Sequence, residues 1–343
     1  MNPSWQDHLR ASGAVFDSGR VVHFGSPEDE RQAGRNGTVL TDLSHLGLIG
    51  FSGEDTQAFL QGQLTSDVRK VDSDHAQYGG HCTPKGRMLA NFLLWQNTGG
   101  DFLMQLPAEL RESVQKRLTM FVLRSKVKVR DASDEWVRMG IAGNGAEALL
   151  QQHLGSLPEA PMAVTHTERA SVVRLSGGRF QIAARPEHAA ALWDALKQGS
   201  TPVGTSVWQW LEIRAGIPTI GAATQEQFVP QMVNYELIGG VSFQKGCYPG
   251  QEIVARTQYL GKLKRRMYLA HIATEAGPAA GDDLYSQNMD GQASGMIVNA
   301  EPSPDGGFDV LAVIQISSAE AGSVHWKTSD GPLLELLPLP YQA

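Results

Sequence analysis

The stretch VSFQKGCYPGQEIVART, residues 241–257, holds one of only two cysteines in a chain of 343 residues. Cys247 stands between the pair Lys245-Gly246 and the turn Pro249-Gly250. A cation beside a sulfur and a helix N-terminus just after it both favour thiolate, the form that attacks electrophiles and ligates metals. Lys245 is placed to supply the cation, and Pro249 is a residue that opens helices, here one whose first turn holds Gln251 and Glu252. Gly246, without a Cβ, permits a ligand to approach the backbone. On spacing alone, a reactive thiol and a cysteine that fills space in a loop account for the stretch about equally. Glu252 and Arg256, four apart, read as a surface ion pair.

Other candidates carry less. Cys82, in GGHCTPKGR, lies between a strand and a turn and reads as packing. Arg256, Lys262, Lys264, Arg265 and Arg266 form a basic run that suits a polyanionic tail or a solvated, lysine-protected sheet edge. Gly143 and Gly145 follow a strand and open a helix as in a dinucleotide fingerprint, but a hairpin comes next, so a tight turn explains them better. Ten histidines without metal-ligand spacing predict no resident metal.

The elements that must position these residues are legible in outline. GRMLANFLLWQNTGGDFLMQLPAELRESVQKRLTMFVL reads as strand, glycine turn, strand and a helix starting near Pro107. SVVRLSGGRFQIAARPEHAAALWDALKQ repeats that order, with a turn at Ser176-Gly177-Gly178 and a proline at Pro186. Ahead of it, VRMGIAG as a strand and AEALLQQHL as a helix complete a split-βαβ module. The expectation is an α+β chain with a bipartite region over 1–260, its modules at roughly 40–135 and 136–260. From 261 to 343, short apolar runs between AGPAAGDD, MDGQASG and SPDGG predict a small β-barrel.

Hydrophobic residues at 41% and charged residues at 19% are those of a soluble globular protein. No apolar run is long enough to cross a bilayer, no signal peptide opens the chain, and two cysteines make no disulfide framework, so a cytoplasmic location is expected. A net charge of −7 argues against direct, stable nucleic-acid binding.

KGCYPGQE followed by IVAR resembles the signature of the YgfZ family, folate-binding relatives of the glycine-cleavage T-protein. DLSHLGLIGFSG, FLQGQLTSDV, TPKGRMLANFLLW and LEIRAGIP carry the resemblance through most of the chain. It implies a GcvT-like cloverleaf of two α+β modules with a C-terminal barrel. It further implies tetrahydrofolate or a derivative as ligand, near Gly246, Tyr248, Gly250, Gln251, Glu252, Arg256, Asn91 and Arg214, with Cys247 and Lys245 as the working pair. The implied role is assembly or repair of iron–sulfur proteins, including enzymes that thiolate tRNA, with those proteins or their assembly machinery as partners. Two departures from the T-protein pattern stand out. Its acidic pair is matched by Ala90 and Asn91, and its pterin-pairing glutamate by Arg214, a residue with donors only. Aminomethyl transfer loses its proton acceptor and counter-ion there. An accessory factor is therefore the reading, and a tetrahydrofolate-dependent one-carbon transferase with Cys247 as nucleophile is the alternative.

Overall fold

In MLANFLLWQ all residues but the last are buried, and FLMQLP beside it is buried to its final proline. Strands so closed on both faces belong in the middle of a sheet. The computed structural model, which describes residues 1–261 and 263–342, places them there: a five-stranded sheet runs in the order Gln77–Cys82, Met88–Gln96, Phe102–Pro107, Leu46–Ser52, Lys128–Asp131. The hairpin turn is built by Asn97, whose Oδ1 accepts from the N–H groups of Gly99 and Asp101 at 2.8 and 3.0 Å. A helix, Ala108–Met120, follows at once with Pro107 as its N-cap.

The second module repeats the arrangement. Strand Val137–Ala142 is followed by helix Ala146–Leu154, hairpin Ala170–Leu175 with Arg179–Ala184, and helix Pro186–Lys197. Its sheet has six strands, with Val164–His166 added at one edge and Val39–Asp42 and Thr201–Val203 at the other. Gly177 and Gly178 take φ of 72° and 69°, the left-handed geometry that a tight hairpin needs. Gly143, at φ 105°, lies where a Cβ would sit 2.0 Å from the Gly37 carbonyl, so a close backbone crossing demands this glycine.

The chain divides into two compact units, each assembled from separated segments: 1–60, 68–77 and 92–208 in the first, 61–67, 78–91 and 209–343 in the second. The first is packed around Leu40, Met139, Ile141, Phe180, Ile182 and Trp193. The second contains an antiparallel sheet ordered Val324–Trp326, Asp283–Ser286, Ala293–Pro302, Phe308–Gln315, Arg265–Ile272, Leu334–Leu337. It curls until its edges meet at the bridge His325–Leu333, over a core of Ile272, Ile297, Val310, Ile314 and Trp326. One helix, Ile316–Ala321, interrupts it. Six residues are too few to show a helical period in sequence.

Candidate functional site

The thiol loop is held by the segment FLQGQLTSDV. Thr65, fully buried, donates its hydroxyl to the Gly240 carbonyl at 2.6 Å and accepts the Gly80 N–H at 2.8 Å. Its own carbonyl accepts the Ser242 N–H at 2.9 Å. Lys245 is buried, and its ammonium donates to the carbonyls of Gln61, Leu64 and Ser66 at 2.6, 2.5 and 3.0 Å. Its Nζ also lies 5.2 Å from the centre of the Tyr248 ring. An ammonium has three N–H donors, and three carbonyls take them. These three bonds fasten the loop to residues 61–66. Spacing along the chain gave no means of seeing those acceptors.

Beyond the lysine the chain turns outward and then inward. Gly246 and Cys247 are exposed, and Tyr248 is buried. A Cβ on Gly246 would meet nothing within 4 Å, so no contact inside the protein requires a glycine there. Burial, with a smaller contribution from the charge of Cys82, raises the pKa of the Tyr248 phenol. Cys82 is itself fully buried, and burial pushes its thiol up to about 12. It is an inert packing thiol, as expected.

Helix Gln251–Tyr259 starts two residues later than Pro249, with Gly250 as its N-cap at φ 83°. A Cβ on Gly250 would sit 2.4 Å from the Thr83 carbonyl and 2.7 Å from Gly86, so the turn of TPKGR and the turn of YPGQ touch backbone to backbone. Gly86, at φ 71°, faces the Ile253 side chain, whose Cβ would lie 3.0 Å from an added Cβ. Gln251 Nε2 reaches back to the Lys245 carbonyl at 3.5 Å. Glu252 and Arg256 are exposed and, among the described residues, no ion pair joins them, contrary to the spacing. Of the basic run, Arg266 turns inward to Glu236 and the Gln231 carbonyl, and Lys262 lies outside the described residues.

The other two predicted ligand residues lie on separate elements of the same unit. Asn91, buried, gives its Nδ2 to the Pro218 carbonyl at 2.6 Å and accepts the Ile220 N–H on Oδ1 at 2.8 Å. Its amide shapes the IPTI segment, a role that LEIRAGIP did not reveal. Arg214 ends helix Thr205–Arg214 with its side chain 43% exposed and its guanidinium 3.6 Å from Asp309. Asp309 is anchored by Trp210 Nε1 at 2.8 Å and lies 2.9 Å from His271 Nδ1. Thr65, Gly86 and Asp309 were not singled out in sequence, although the first two lie in motifs that carried the resemblance.

Comparison with known proteins places this arrangement. The family model described as the GCVT N-terminal domain matches residues 11–243. The chain is 33% identical over 306 residues to the tRNA-modifying protein YgfZ of Sodalis glossinidius, covering 88% of this chain and 93% of that one. It is 32% identical over 317 residues to the protein of the same name from Klebsiella pneumoniae, covering 92% and 96%. The crystal structure of glycine cleavage system aminomethyltransferase T from Bartonella henselae superposes with a TM-score of 0.78 over 99% of this chain and 97% of that one, at 18% identity. That likeness establishes a GcvT-like fold with a curled C-terminal antiparallel sheet. Taken with the identity spread over nearly the whole length, it means that this chain belongs to the YgfZ family.

Proposed function

We propose that the chain is a folate-binding accessory protein for the assembly or repair of iron–sulfur proteins, enzymes that thiolate tRNA among them, and that the Cys247 thiol is its working group. The observation that carries this reading is an exposed thiol between two fixed points, with Lys245 buried against three carbonyls on one side and Tyr248 buried on the other. A space-filling cysteine would be enclosed, as Cys82 is. Cys247 instead meets whatever approaches, and Gly246 leaves room beside it. The name shared by the relatives, tRNA-modifying protein, supports the tRNA side of the proposal.

In this reading Lys245, Gly250 and Gln251 position the loop, while Gly246, Glu252 and Arg256 face the partner. Any contact with a folate at the position of the T-protein's pterin-pairing glutamate is made here by donors only. Arg214 presents a guanidinium with five donors on a half-exposed side chain, against which Asp309 stands at 3.6 Å. Asn91, engaged at both ends, holds the backbone near that helix rather than presenting an amide. A bound reduced folate would supply a one-carbon group.

The test is the activity of a tRNA-thiolating iron–sulfur enzyme in cells lacking this chain, complemented with the native protein or Cys247→Ser at equal abundance. Restoration by the native chain alone is expected. Restoration by both makes the thiol structural. Restoration by neither removes the iron–sulfur reading, and turnover of an aminomethyl donor by the purified chain would then favour the transferase.

A further inference from the structure

The segment KRLTMFVLRSKVKVR, residues 116–130, carries six cations and no carboxylate. Helix Ala108–Met120 ends within it, and there Met120, Phe121 and Leu123 are 59%, 43% and 87% exposed. A single exposed leucine is ordinary, but three large apolar side chains within four residues mark a surface that another molecule covers. Leu123 is unfavourable in its backbone as well. The Ser125 N–H donates to the Val122 carbonyl at 2.8 Å, and inside that turn Leu123 takes φ 47°. Glycine, asparagine or aspartate usually fills such a position, because the Cβ of any larger residue crowds the following carbonyl.

Strain of this kind persists only where the surroundings hold it, and here both ends of the turn are fixed. Before it, the N–H groups of Phe121 and Val122 donate to the Leu118 and Thr119 carbonyls at 3.0 and 3.2 Å. After it, the Lys126 N–H donates to Asp55 Oδ2 at 2.7 Å, and a Cβ on Gly53 would sit 2.0 Å from the Lys126 carbonyl. Between these anchors Phe121, Val122, Leu123, Arg124 and Ser125 line an open hollow of about 590 Å³. Of the cations, Arg130 pairs with Asp101 and Glu135, and Lys126 with Glu54. Lys116, Arg124 and Lys128 are exposed and, among the described residues, in no ion pair.

We propose that this turn is a docking site for an acidic protein segment that places an apolar side chain in the hollow. Met120, Phe121 and Leu123 are the apolar anchors, and Arg124 and Lys128 attract the carboxylates that flank the inserted side chain. The charge of the segment selects an acidic partner, and the exposed leucine and methionine select one that is apolar at its centre. A nucleic acid would bring mainly phosphate and sugar and leave Met120 and Leu123 wet. A bilayer takes up an apolar wedge, whereas this surface is hollow. The turn lies in the first unit and Cys247 in the second, so the proposal does not rest on the thiol's role.

The test is the fluorescence anisotropy of a labelled acidic amphipathic peptide, leucine on one helical face and glutamate on the other, titrated with the full native chain. The native chain is expected to bind it, more weakly as salt is raised. Leu123→Gly and, separately, Arg124→Glu combined with Lys128→Glu are each expected to weaken binding at least about tenfold, the loss of one interface anchor. Leu123→Gly is also expected to hold the native Tm, because relief of the left-handed strain offsets the greater freedom of glycine in the unfolded chain. Where Leu123→Gly unfolds the chain, Leu123→Asn, which also tolerates left-handed geometry, carries the same expectation. If both variants lose Tm, the leucine is structural and the proposal falls. Peptide bound equally by native and variant chains, or not bound at all, overturns the docking site. Polyuridylate RNA or phosphatidylglycerol vesicles bound in place of the peptide, and lost in the same variants, overturn the protein partner. A native chain that sediments as a dimer and becomes a monomer as Leu123→Gly overturns it in favour of a second copy.

Discussion

Two glycines flank Cys247, and the structure gives them opposite reasons to exist. Gly250 has φ 83° and no room for a Cβ, which would sit 2.4 Å from the Thr83 carbonyl. Gly250→Ala therefore adds left-handed strain and a backbone clash, and a loss of at least about 2 kcal/mol is expected in urea unfolding. Gly246 lies in open space with an ordinary φ, so Gly246→Ala is expected to change stability by less than about 0.5 kcal/mol. If that neutral variant also fails to complement cells lacking the chain, the space beside the sulfur is used by a partner. Full complementation by Gly246→Ala would remove the close-approach argument, and a stable Gly250→Ala would show that the two turns separate easily. At this scale the sequence drew attention to the loop without showing what holds it. Lys245 is next to Cys247 in the chain, but a four-carbon stem carries its charge to carbonyls whose positions depend on residues 61–66.

Among elements, local order was legible and long-range fastening was not. The hairpin-then-helix pattern shows twice because glycine turns and helix-opening prolines act within a few residues. The bond from Thr65 to Gly240 joins residues 175 apart and leaves no periodic trace. Thr65 is the joint where three segments of the second unit meet: 61–67, the strand holding Gly80, and the chain entering the thiol loop. Thr65→Val keeps the volume and removes both hydroxyl bonds, leaving the buried Gly80 N–H and Gly240 carbonyl without that partner. A loss of about 2–4 kcal/mol is expected, one desolvation penalty for each group. Faster reaction of Cys82 with a thiol reagent in that variant, by opening of the unit around it, is the accompanying sign. An unchanged unfolding midpoint would mean that water replaces the hydroxyl at no cost, and the joint would then lie elsewhere.

Over the whole molecule, composition predicted an ordinary globular chain, and the family signature carried the architecture. Neither shows that each compact unit is stitched from separated segments, because that grouping depends on which buried faces meet. The same burial sets a pH dependence. His45, 6% exposed, has its imidazole pKa lowered to about 3, chiefly by burial and secondarily by the charges of Arg20 and Arg138. In the unfolded chain the ring titrates near 6.5. Between these values the unfolded state binds a proton that the folded state refuses, so stability falls as pH drops below 6.5, with a limiting slope of about 1.4 kcal/mol per pH unit. Asp42, buried beside Trp5 and Ser44, acts in the opposite sense: burial raises its pKa, so the folded state takes up its proton at a higher pH than the unfolded chain does. Subtracting a variant that lacks only the imidazole separates the two. The difference in unfolding free energy between the native chain and His45→Leu, followed by urea titration from pH 7 to pH 4, is expected to move against the native chain by about 3 kcal/mol. A difference that stays flat would mean that the folded chain admits a proton at His45, and that the core of the first unit opens to water well above the acid limit.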